Sequence, residues 1–116
     1  MVLKADKRKE LLEQYKEREI IGGVFVIKNM LNDKIFLDSV IDLQGSKNRF
    51  QFSQNTGSCV YMKLQSDWNK HGGGQFLFEV LEELKKGETQ TVEEFKADVE
   101  FLKKIWLDKL SDRDFY

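Results

Sequence analysis

Side chains that attack, ligate or titrate near neutrality are scarce in this sequence, which holds one cysteine, Cys59, and one histidine, His71. A lone thiol has no partner for an internal disulfide and no second thiol with which to hold zinc, so Cys59 reads as a small packing residue. His71 precedes a run of three glycines at what reads as a helix end, where an imidazolium complements the helix dipole. What remains is charge. Lys47, Arg49 and Lys63, with a basic stretch around Lys4, Lys7, Arg8 and Lys9, are of the type that contacts phosphate, and such contacts give weak, salt-sensitive, sequence-tolerant binding to nucleic acid. A short basic run on a helix is more often an ordinary solvated face. Acidic and basic residues nearly cancel, leaving a formal charge of −1. No global field draws the chain to a polyanion, and a protein partner suits this balance as well.

These groups must be positioned by a small scaffold. A chain of 116 residues is long enough for one buried core and too short for two. No apolar run approaches the ~20 residues of a membrane helix, and the first ten residues lack the apolar stretch of a secretory signal, which predicts a cytoplasmic protein. With no proline in the chain, Gly, Asn, Asp and Ser must make every break.

Residues 6–18 read as an amphipathic helix capped by Asp6, with Leu11, Leu12 and Tyr15 at helical spacing. Residues 20–28, after the Gly22-Gly23 pair, and 34–40, after Asn32-Asp33, are apolar and β-branched and predict a hairpin. Residues 42–54 read as a helix with an irregular start at Gly45-Ser46. Val60, Leu64 and Trp68 fall at i, i+4 and i+8 and predict another helix, ending at Gly72-Gly73-Gly74. Phe76, Phe78 and Val80 alternate in a third strand that gives way to the polar stretch 82–90. Thr91 with Glu94 forms a capping box that opens a helix running to about Leu110, with Val92, Phe95, Val99, Leu102 and Trp106 on one side. Phe115 and Tyr116 at the end read as a loose tail, with a dimer contact as the other reading.

Gly23-Val24-Phe25 in the first strand and Phe36-Leu37-Asp38 in the second resemble the paired motif of the GIY-YIG nuclease family. The similarity continues through Asn48-Arg49-Phe50, the 64–68 helix, the glycine turn and the segment 76–84, and spans about residues 21 to 110. It implies an α/β (α+β) fold: a three-stranded, mainly antiparallel sheet flanked by helices, with residues 1–20 an appended helix and 21–116 the domain proper. In that family, the resemblance implies, a tyrosine from each half of the motif lies beside the scissile phosphate, an arginine neutralises it, and a glutamate on a late helix holds one divalent metal. Metal and guanidinium stabilise charge that develops on the phosphodiester while an ionisable group activates water.

The sequence departs from that pattern at the positions that matter. Both tyrosines are phenylalanines, Phe25 and Phe36, and a phenyl ring neither takes a proton nor orients water. The second glycine is Asp38, whose charge repels phosphate. The metal ligand, three residues before Trp106, is Lys103, and an ammonium does not coordinate Mg²⁺. Glu100, one turn earlier, is the remaining candidate for a displaced metal site. Arg49 matches the family arginine once an insertion around Ser46-Lys47 is accepted. Read without the family, the same residues are ordinary: two strand phenylalanines, a solvated lysine and a helix charge. The simultaneous gain of a carboxylate and an ammonium predicts an ion pair between Asp38 and Lys103 across the former site.

The sequence thus predicts a nuclease-like domain without catalysis or cofactor. Such a domain would bind nucleic acid or a nucleic-acid-processing protein, in the second case as an inhibitor carried by a phage or other mobile element, with CRISPR effectors among the targets. The alternative is an active endonuclease using Mg²⁺ and a rearranged site built from Glu100, Asp38 or Tyr61.

Overall fold

The computed structural model describes residues 19–116. The helix expected over residues 6–18 and the basic stretch at Lys4, Lys7, Arg8 and Lys9 lie outside the described residues. Three strands, β1 (Ile21–Asn29), β2 (Ile35–Val40) and β3 (Phe76–Lys85), form one antiparallel sheet in the order β2-β1-β3. Helices α1 (Leu43–Thr56) and α2 (Gln65–His71) lie between β2 and β3 in sequence, and α3 (Val92–Lys109) follows β3. No helix among the described residues is long and apolar enough to cross a membrane.

The central strand explains the apolar run after Gly22-Gly23. Side chains alternate across a strand, and both faces of β1 are covered. Phe25 and Ile27 enter a core with Leu43, Phe50, Leu64 and Trp68 from α1, α2 and the turn before α2. Val24 and Val26 enter a second core with Ile35 and Leu37, which is closed by Leu102, Trp106 and Leu110. The hairpin turn forms because Asp33 adopts φ 60°, a left-handed conformation that Asp tolerates. Asn29 and Asn32 side-chain carbonyls accept from Leu31 and Lys34 amides at 3.0 Å each, as Asx turns do.

The two glycines before the strand are required by close approach. A Cβ on Gly22 would stand 2.5 Å from the Val40 carbonyl oxygen, and one on Gly23, whose φ is 152°, would stand 2.0 Å from that of Glu82. Nearby, β1 carries a bulge against β3 between Val24 and Phe25.

Helix α1 is regular from Leu43, so Gly45-Ser46 is not the break the sequence suggests. Asp42 caps it by accepting from the Gly45 amide at 3.1 Å, and a Cβ on Gly45 would clash with that carboxylate. Ser46 is buried in the helix stripe between Leu43 and Phe50. The helix expected from Val60 starts later. Val60 is 47% exposed, Tyr61 is extended, a single 3-10 turn spans Met62–Leu64, and only then does α2 begin. Leu64 and Trp68 keep their predicted i, i+4 stripe; Val60 coincides with it in spacing alone.

β3 runs on to Lys85 instead of yielding at residue 82, because β1 pairs with it as far as Ile21↔Lys85. As an edge strand it needs only backbone partners on one side, so Glu82 and Glu83 extend it without being buried. The capping box is present, with the Glu94 amide donating to Thr91 Oγ1 at 3.1 Å. Trp106 donates its indole N–H to Glu82 at 3.0 Å and carries the Lys109 ammonium over its ring.

The segment after α3 is not a loose tail. The Ile35 amide donates to the Asp114 carbonyl and the Tyr116 amide to the Ile35 carbonyl, making a parallel bridge on the outer edge of β2. Phe115 packs on the α3-side core. The Tyr116 hydroxyl donates to Asp67 at 2.7 Å and accepts from the fully buried Asn29 amide at 2.9 Å. That hydroxyl holds the Asp67 carboxyl below the usual carboxylate range, with smaller contributions from Asn32, His71 and Lys34.

Two expected outcomes follow. Gly23→Ala costs about 2–4 kcal/mol in urea unfolding, since backbone must move, whereas Gly74→Ala, whose Cβ meets nothing within 4 Å, stays within about 1 kcal/mol of wild type. A carboxyl depressed in the folded state contributes stability above its unfolded value, here near 3.8, and loses it as pH falls further. Tyr116→Phe removes the main cause of the depression, so thermal melts of that variant fall less between neutral and strongly acidic pH than those of wild type.

Candidate functional site

Asp38 and Lys103, the carboxylate and the ammonium that the resemblance singles out, meet. Asp38, near the end of β2, sits opposite Phe25 of β1 in the strand register, and Lys103 is on the α3 turn preceding Trp106. Lys103 Nζ lies 3.1 Å from Asp38 Oδ1, and the same oxygen accepts the Ser39 amide at 2.8 Å. The expected ion pair is therefore formed. Its side chains are 35% and 40% exposed, so it lies at the solvent edge, where such pairs contribute little to stability.

This donor set does not fit the divalent metal that the resemblance implies. A hard cation needs several oxygen ligands, and here a cation of the protein's own already holds the carboxylate. Among the described residues no three His, Cys, Asp or Glu side chains stand close enough together to hold a metal. Glu100, one turn before Lys103, borders a different cavity.

That cavity, about 380 Å³, lies between the end of β2, α1 and α3. Ser39, Val40 and Ile41 line one side; Asp42, Ser46 and Arg49 line another; and Lys96 and Glu100 complete it with mixed charge. The second cavity, about 410 Å³, lies across Asp38 and Lys103. Its walls are Phe36 and Leu37 from β2, Leu107 from α3, Lys63 from the turn before α2, and Phe115 and Tyr116 from the docked tail.

The predicted site residues are therefore dispersed. Phe36, Leu37, Asp38, Lys63 and Lys103 share one cavity, while Arg49 and Glu100 share the other. Lys47, exposed on α1, lines neither, and neither do Gly23 and Val24. Phe25 is 1% exposed and stacks on Phe78 with ring centroids 4.7 Å apart; it is a core residue with no access to either cavity. Phe36 is half-buried, with its ring 5.7 Å from that of Tyr61.

Tyr61 packs its phenol ring against Phe36. Its hydroxyl is buried with no hydrogen-bond partner among the described residues. Burial pushes its pKa up, against a smaller downward pull from Arg49, and Cys59 and Asp38 raise it further. Such a group stays protonated at neutral pH and is a poor base. Burial likewise raises the Cys59 thiol, which donates to the Tyr61 carbonyl at 3.3 Å. His71 occupies the last turn of α2, as the dipole reading expects.

Sequence reasoning missed Leu107, Lys96 and the wall formed by Phe115 and Tyr116. Lys96 and Leu107 follow from helical spacing once Lys103 is placed, at two turns and one turn from it. Nothing in the residue pattern announces that residues 114–116 return to β2.

Two solved structures are similar to this chain. One is a point-mutant form of the catalytic domain of the intron endonuclease I-TevI, with 27% sequence identity, a TM-score of 0.57, and coverage of 79% of this chain and 86% of that one. The other is the catalytic domain of the homing endonuclease I-TevI, also at 27% identity, with a TM-score of 0.54 and coverage of 78% and 88%. No family model matches the chain, and no curated protein does. Three antiparallel strands with the motif halves on β1 and β2, flanked by helices in this order, give the chain a GIY-YIG-like fold, that of a GIY-YIG homing endonuclease catalytic domain.

Proposed function

We propose that this domain is a catalytically degenerate GIY-YIG nuclease-like protein that retains a nucleic-acid-binding surface. The observation that carries the reading is the Lys103–Asp38 pair, an ammonium and a carboxylate neutralising each other where the family keeps a metal and a glycine. Supporting it, Phe25 and Phe36 have no hydroxyl, Phe25 is sealed in the core, and the Tyr61 phenol is buried and hard to ionise. Removing water activation and the metal together forfeits most of the ~8–23 kcal/mol by which enzymes typically lower a barrier.

The likeness to a homing endonuclease favours nucleic acid as the partner, met through Lys63, Lys103 and Arg49. The near-zero net charge and the exposed Phe52 and Met62 favour a second reading, in which the scaffold binds and inhibits a nucleic-acid-processing protein. An active enzyme with a rearranged Mg²⁺ site is opposed by the separation of Glu100 from Asp38 into different cavities.

Three outcomes are expected. Neither plasmid nor structured RNA is cleaved with Mg²⁺ or Mn²⁺; cleavage that Arg49→Ala abolishes would establish the active reading. Calorimetry detects no Mg²⁺ binding to the native domain, while Lys103→Glu, which sets two carboxylates side by side, binds Mg²⁺ or Mn²⁺ weakly. Nucleic-acid affinity falls about tenfold for a fourfold rise in salt, as two or three phosphate contacts require; an apolar protein contact would be nearly insensitive to salt.

A further inference from the structure

We infer that the cavity between β2, α3 and the docked tail receives one nucleotide of an unpaired strand. In this assignment the base lies against the aromatic wall, the phosphate sits on Lys63 and Lys103, and Asp38 competes for that phosphate. The inference rests on the nucleic-acid reading above and narrows it to single strands.

The walls have the chemistry of a stacking site. Phe36, Phe115 and Tyr116 line the cavity and are each only half-buried. Phe36 and Tyr116 also pack toward the α1 and α2 side of the sheet and Phe115 toward the α3 side, so the cavity wraps the outer edge of β2, and the Lys34 ammonium lies over the Tyr116 ring. Leu37 and Leu107 make the remaining surface apolar. Aromatic rings beside a basic rim are how proteins hold unpaired bases without regard to sequence, because every base offers a π-face. The volume of about 410 Å³ is in the range of small-ligand sites, ~300–1,000 Å³. It suits one nucleotide; a duplex, whose bases stay stacked inside the helix, cannot enter it.

The charge is arranged for a phosphate at the same place. Lys63 is exposed and joins none of the ion pairs among the described residues. Lys103 has one ionic partner there, Asp38, and both side chains reach solvent. An incoming phosphate therefore shares or replaces the Asp38 contact on Lys103 and feels the repulsion of that carboxylate. The cavity on the other side of the sheet end lacks this combination: Arg49 and Lys96 stand with Asp42 and Glu100, and no aromatic side chain lines it.

The competition gives a gain-of-function test. Fluorescence anisotropy in EDTA at low salt compares labelled oligothymidylate with its duplex on oligoadenylate, using the whole chain. Expected are at least about tenfold tighter binding of the single strand and a loss of similar size for Phe115→Leu, which keeps an apolar side chain in the wall and removes only the ring. Asp38→Asn is expected to tighten single-strand binding about fivefold, by removing the competing charge. Lys63→Gln, a surface change that leaves the fold intact, weakens it. Duplex bound as tightly as the single strand, or Asp38→Asn binding unchanged or weaker, overturns the inference while leaving nucleic-acid binding in place. Binding of neither probe overturns both.

Discussion

β1 is covered on both faces and hydrogen-bonded along both edges, and the placement of every functional group descends from that. A strand in this position must hand alternate side chains to two different cores, so its sequence is nearly continuously apolar. Its start must also pass between the ends of β2 and β3 closely enough that no Cβ fits at Gly22 or Gly23. Because β1 fixes the register of β2, Asp38 is held at one place on the sheet. Because Val24 and Val26 fix the seat of α3 through Leu102 and Trp106, Lys103 is brought to Asp38 by packing that has nothing to do with charge. The pair is a consequence of the scaffold and not one of its supports.

The energetics agree. An ion pair whose partners are both more than a third exposed contributes roughly 0.2–1 kcal/mol, whereas the apolar cores on the two faces of the sheet involve many times that. A weak pair at the solvent edge is also one that a ligand can reorganise. It differs in this from a buried pair, whose separation would leave an uncompensated charge at a cost of several kcal/mol.

What was legible in the sequence was whatever local rules determine. Asn32-Asp33 specified the hairpin and Thr91 and Glu94 the start of α3, while the pairing of Asp38 with Lys103, 65 residues apart, was implied by the family resemblance. What was not legible depended on partners distant in the chain. Glu82 and Glu83 read as loop because they are polar, yet an edge strand requires only that β1 offer hydrogen bonds. Val60 matched a helical stripe by coincidence of spacing. Gly45-Ser46 read as a break, although small residues there let Asp42 fold over the helix start and Ser46 be buried. The tail is the plainest case: nothing local in Asp114, Phe115 and Tyr116 encodes an unpaired outer edge on β2 or a buried Asn29 amide in need of an acceptor.

The two phenylalanines at positions 25 and 36 have unequal surroundings. A tyrosine at position 25 would carry a hydroxyl into a space where the present ring is fully enclosed and stacked on Phe78, and a buried hydroxyl without a partner costs about 1–3 kcal/mol. At this position a phenyl ring completes the core without that cost. Position 36 is different, because its ring is half-buried and lines a cavity, where a hydroxyl would be tolerated without penalty. Tyr61, packed against that ring, does keep a buried and unpartnered hydroxyl. Phenylalanine would serve packing better there, so stability alone does not account for the tyrosine. Two buried polar atoms lack a partner among the described residues, the Trp68 indole nitrogen in the core and this hydroxyl. The hydroxyl stands beside Phe36 and within the field of Arg49 and Asp38, where a sequence is expected to depart from the demands of folding in favour of function.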